Sequence, residues 1–166
     1  MFNTTLSYSC QSLVGTNKVG TLKKNANGYY EMIVGALGVY NSAGAYYPVD
    51  ASRDMFENRS GSLQRRLAEA ALRGEYGHPK PPPKPADEPS KKIWEEEFVR
   101  RNLSIYEDKV CCHHKRIWLD FNSLKDKEGK PLVAIMSELI PAGPLGDTLE
   151  KQLQNPHENV CFSIRS

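Results

Sequence analysis

At 166 residues, with 39% hydrophobic and 25% charged residues, the chain has the makeup of one globular domain rather than a disordered segment. Lys and Arg number 22 against 20 Asp and Glu, a balance that argues against wrapping a nucleic acid, so no nucleic-acid partner is expected. No apolar run approaches the ~20 residues that span a bilayer, and MFNTTLSYSCQSLVG lacks the basic start and apolar stretch of a signal peptide; the expectation is a cytoplasmic protein with no membrane partner.

Residues 1 to 47 read mostly as β-structure. GYYEMIVGALGVY (28 to 40) is rich in aromatic and β-branched residues, and its glycines mark bulges or close backbone approach. NSAGAYYP (41 to 48) is turn chemistry, with Asn41 and Gly44 suited to left-handed backbone and Pro48 stopping a strand. Two helices are predicted next. VDASRDMFENRSG (49 to 61) is closed by Gly61, and SLQRRLAEAALRG (62 to 74) is closed by Gly74, with Leu63, Leu67, Ala70 and Ala71 on one stripe. HPKPPPKPADEPS (78 to 90) holds six prolines, so the segment at 79–90 is a stiff, extended surface connector. Ser90 is placed to cap a helix over SKKIWEEEFVRRN, where Ile93, Trp94 and Phe98 form a partial apolar face.

β-structure resumes at LSIY (103 to 106) and KVCCHHKRIWLDF (109 to 121), and KDKEGKP (125 to 131) turns into PLVAIMSELI (131 to 140). GDTLEKQLQN carries Asp147 and Glu150 at capping-box spacing, with Leu149 and Leu153 on one face. The chain closes on NVCFSIRS, where Val160, Phe162 and Ile164 alternate with Cys161, Ser163 and Arg165 as in a half-buried strand. This order of elements predicts an α+β fold class.

Cys10, Cys111, Cys112 and Cys161 have no disulfide spacing and are expected to be reduced. CCHH at 111 to 114 offers zinc-type ligands, but consecutive strand residues point to opposite faces and cannot surround one ion. The expectation is one buried and one exposed member in each pair, no metal and no cofactor. His157 follows Pro156 in a turn and reads as a solvated loop residue. His78 sits in RGEYGHP, where Gly74 and Gly77 let the backbone approach closely and Pro79 restricts it, a setting that suits either a general base or a plain loop histidine. Ser163 is a small filler of an apolar strand or, if a base reaches it, a nucleophile.

The ordered set NSAGAYYP, RGEYGHP, a GPLGD turn with a short helix, and FSIRS resembles the prohead maturation proteases of T4-like tailed phages, serine peptidases related in fold to herpesvirus assemblin. The matching positions are Asn41, Tyr47 and Pro48; Gly74, Glu75, His78 and Pro79; and Ser163 and Arg165. The resemblance runs from about residue 28 to the end. It implies a mostly antiparallel sheet or barrel-like β core with flanking helices, a single protease domain over 1–166, and a serine endopeptidase. Ser163 would be the nucleophile, His78 the general base and Arg165 an aid to the oxyanion; Glu75 is expected to be structural, satisfying turn amides near His78. The resemblance further implies phage scaffold and capsid proteins as substrates, a homo-oligomer, and action inside the prohead in the host cytoplasm. The family's domain continues for several strands past the position of Ser166, so the 166-residue form is expected to lack its C-terminal strands and to be weakly active or inactive unless completed by association.

The competing reading is a non-catalytic capsid-interior structural or binding protein of the same fold, docking through the proline-rich segment or a sheet edge. His113 and His114, both between His78 and Ser163 in the chain, are conceivable orienting groups but are not placed in the catalytic set.

Overall fold

The computed structural model describes residues 24–40, 46–77, 82–126, 128–158, 160 and 162. Strand β1 is Tyr30–Leu37; helices α1 (Val49–Glu57) and α2 (Ser62–Ala68) follow, then a short strand β2 (Arg73–Glu75) and helix α3 (Glu88–Leu103). A 3-10 turn at Glu107–Lys109 leads into β3 (Val110–Lys125), β4 (Pro131–Pro141) and helix α4 (Gly146–Gln154). The four strands make one antiparallel sheet in the order β1-β4-β3-β2. The class is α+β as expected, and among the described residues the sheet is open, not closed into a barrel.

β1 buries Tyr30, Met32 and Val34 in alternation, and its register against β4 shifts between Ile33 and Gly35, where the glycines predicted a bulge. The β3–β4 turn is built by Asp126, whose Oδ1 accepts the backbone N–H groups of Glu128 and Lys130 at 2.9 and 2.8 Å. Gly129 there takes a φ of +82°, open to glycine at no steric cost. One apolar cluster joins Tyr30, Met32, Cys111, Cys112 and Leu139 of the sheet to Leu149 and Leu153 of α4. A second gathers Val34, Leu37 and Ile135 against Phe56 of α1. Leu153 is fully enclosed, so Leu153→Ala is expected to lower stability by about 2–5 kcal/mol, read as a drop in urea midpoint at unchanged slope.

Several boundaries differ from the sequence reading, each for a physical reason. α1 ends at Glu57, because Asn58 is extended while its N–H still bonds to the Asp54 carbonyl; Gly61 instead stands at the N-cap of α2. α2 stops at Ala68 rather than Gly74: Ala70 adopts a φ of 54° and turns the chain, and the liberated segment becomes β2. The cap of α3 is Asp87, whose carboxylate accepts the Ser90 N–H at 2.9 Å. The helix therefore takes in Glu88, Pro89 and Ser90 from the end of the proline-rich segment, proline being tolerated in a first turn.

Because α3 runs to Leu103, LSIY is helix end and irregular chain, not a strand. The capping box of α4 does not form: its N-cap is Leu145, without a side-chain cap, and Glu150 accepts the Tyr30 hydroxyl at 2.7 Å instead. Cys111 and Cys112 are both buried rather than alternately so, since the start of β3 is covered on both faces. His157 is exposed as expected. The β reading of residues 1–23, the turn at 41–45, and the positions of Cys10, Cys161 and Ile164 lie outside the described residues.

Candidate active site

β2 is held by three pairings to β3, Arg73 to His113, Gly74 to Cys112 and Glu75 to Val110. Gly74 is required there by contact: a Cβ on it would lie 2.4 Å from Cys112 Sγ and 3.2 Å from His114 Nε2. Past β2, the Tyr76 N–H bonds to the Lys109 carbonyl at 2.7 Å, and Gly77 takes a φ of +81°, a left-handed backbone that glycine adopts without strain. The next residue is His78. His78, Ser163 and Arg165 themselves lie outside the described residues, as do Asn41 and Pro79.

Gly77, immediately before His78, and Phe162, immediately before Ser163, line the same cavity, whose volume is about 690 Å³. Val160 is buried and Phe162 half-buried against the two apolar clusters, and neither belongs to a strand, in contrast to the strand expected for the terminal segment. A polar chain ties these two arms together. Gln152 of α4 donates from Nε2 to the Tyr76 hydroxyl at 2.9 Å and to Glu158 Oε1 at 2.8 Å. It joins the turn before His78 to the turn that leads toward Ser163. Tyr76 and Gln152 were not singled out in the sequence, and no local signal could have found a pair 76 residues apart.

His114 also lines the cavity. Its Nδ1 shares a 2.7 Å hydrogen bond with the hydroxyl of Ser137, a fully buried residue of β4, and its Nε2 lies 3.8 Å from Cys112 Sγ. Burial, with a smaller contribution from neighbouring His113, pushes its pKa down to about 4 from an ordinary 6.5. It is thus neutral at neutral pH and oriented by the core. Cys112 is no nucleophile: its hydrogen bond with Cys111 and its burial both push the thiol up, so it stays protonated. Among the described residues no group of three or more His, Cys, Asp or Glu side chains is placed to hold a metal ion.

The depressed His114 has a measurable consequence. In the unfolded chain it gains a proton near pH 6.5, while in the folded chain it resists until about pH 4. The folded state is therefore penalised progressively as pH falls between those values, and not above them. His114→Gln, which keeps a hydrogen-bonding group toward Ser137, is expected to flatten that part of a stability-versus-pH curve. An unchanged slope between pH 6.5 and 4 would count against it.

Glu75 binds a cation as well as a backbone amide. Its carboxylate is paired with the Arg101 guanidinium from α3 and accepts the Tyr106 N–H at 3.4 Å.

The family described as "Peptidase S80 family" matches residues 8–166 of the chain. The chain is also similar to the "Capsid maturation protease" of Pseudomonas phage phiKZ, being 36% identical over 154 residues, which cover 93% of this chain and 54% of that protein. The chain thus spans about half the length of that curated relative. No solved structure matches it.

Proposed function

The chain belongs to the Peptidase S80 family, and from that membership we propose that it forms the core of a phage capsid-maturation serine endopeptidase. The observation that carries the reading is the shared cavity: the residues next to His78 and to Ser163, 85 positions apart in the chain, line one pocket. A free serine hydroxyl is nearly inert at neutral pH and needs a base within hydrogen-bond reach. In this reading His78 takes the Ser163 proton as the hydroxyl attacks the scissile carbonyl, then returns it to the leaving amine, and water releases the acyl group by the same base. Arg165 places a fixed positive charge near the developing oxyanion. The described sheet is one part of an assemblin-like core, the substrates are phage scaffold and capsid proteins, and the enzyme works as a homo-oligomer inside the prohead in the host cytoplasm.

Co-expression of the gene's full reading frame with its capsid and scaffold proteins, in wild-type and Ser163→Ala forms, tests this. Intact-mass spectrometry is expected to find fragments with the wild type and none with the variant. Uncleaved, identical masses in both, with capsids assembled, would replace this reading with that of a non-catalytic binding protein.

A further inference from the structure

α3 has an unusual attachment. None of its residues is buried, and Ile93, Val99 and Leu103 stand exposed along it. Arg101, near its C-terminal end, is the contrast: its side chain is only 17% exposed and its fork meets both carboxylate oxygens of Glu75, whose side chain is 3% exposed. Nη1 also donates to the Ser104 carbonyl at 3.2 Å, and the guanidinium lies 3.6 Å from the centre of the Tyr106 ring. Tyr106 in turn donates its N–H to Glu75. The arrangement is a closed clamp between the end of α3 and strand β2.

A buried ion pair is a poor source of net stability, because desolvation offsets most of the attraction. What a two-pronged Arg–carboxylate pair supplies is orientation, since the planar fork fits in one geometry. The parts oriented here both belong to the site. Glu75 is the third residue before His78, and Asn102, Leu103, Ser104 and Ile105, just past Arg101, line the same cavity as Gly77 and Phe162. α3 itself contributes no buried residue to holding that wall in place.

We propose that Arg101 is a positioning residue for peptide hydrolysis: through Glu75 it fixes the strand that precedes His78 together with the cavity wall formed just past Arg101. The inference rests on the protease reading. Arg101 touches no reacting atom in it; it acts by limiting where the base and the substrate-facing wall can lie.

The test uses the full-length protein and a quenched fluorescent peptide copied from the first junction that the wild type cuts. Arg101→Met alone would leave the Glu75 carboxylate buried and unpaired, so it is compared with the double variant Glu75→Gln/Arg101→Met, which removes both charges. The double variant is expected to lose about tenfold to a hundredfold in kcat, with KM and the thermal midpoint close to wild type. Amide exchange at Tyr76 and Gly77 should accelerate in the same variant. Arg101→Lys, which keeps the charge but not the fork, should recover part of the rate. Wild-type kcat in the double variant, with Ser163→Ala still inactive, would overturn the inference and leave the protease reading standing. A kcat that falls only in step with a falling thermal midpoint would likewise reduce Arg101 to a stabilising residue. A wild type that cuts nothing overturns both together.

Discussion

Gly74→Ala is expected to displace strand β2 and with it most of the activity. The added methyl would sit 2.4 Å from Cys112 Sγ, and Cys112 is 1% exposed and packed in the apolar cluster beneath α4. Forcing an extra carbon into a packed interior costs about 1–3 kcal/mol and sometimes more. At this position the structure can relieve the strain most easily by shifting the three residues of β2, which are half-buried and, among the described residues, paired only with β3. A shift of ~1 Å in a supporting element can cost about a hundredfold in rate, and Gly74 lies four residues before His78. The companion experiment is Gly74→Ala/Cys112→Ala, which removes the sulfur that the new methyl meets. Recovery of rate and stability beyond the sum of the single changes would identify the contact as the cause; equal loss in the double variant would place the damage elsewhere.

The second large effect is chemical. Ser163→Ala and His78→Gln should each reduce cleavage on the order of 10⁶-fold, and the two together should cost little more than either alone, because a nucleophile and its base act as one unit. Neither change should lower the thermal midpoint appreciably. Additive losses, or a His78 variant of near wild-type rate, would argue for a different base, and neutral His114 at the cavity wall would be the first to examine. Rates on a fixed peptide, taken at one pH with matched thermal midpoints, decide between these outcomes.

How much of this was readable in the sequence depends on how far each feature reaches along the chain. β4 was placed because its apolar run follows the turn chemistry of KDKEGKP, a local signal, and the two leucines of α4 because a stripe at i and i+4 needs only one helix to be seen. Strand β2 was missed for the opposite reason. Its three residues have no pattern of their own, and the strand exists because β3, more than thirty residues later, pairs with it. The end of α2 at Ala70 was also hidden, since alanine gives no warning of a positive φ.

At the site, RGEYGHP showed a histidine well set for work, but its chemistry came only from resemblance to a family. The Tyr76–Gln152–Glu158 link and the Glu75–Arg101 clamp were invisible, because each joins segments that only tertiary structure brings together. At the end of the chain Val160 and Phe162 do pack on the core, as their apolar character suggested, but neither lies in the strand that the alternation predicted.

The central claim is that Ser163 is a hydroxyl made nucleophilic by His78. A fluorophosphonate reports this directly, because only an activated serine attacks the phosphorus and expels fluoride, leaving a stable covalent mass increment on its peptide. Full-length protein treated with a biotinylated fluorophosphonate, then digested and sequenced by mass spectrometry, is predicted to carry one label, on Ser163, with labelling lost in His78→Gln. Label on another residue, or none in a preparation that cuts its substrates, would contradict the account.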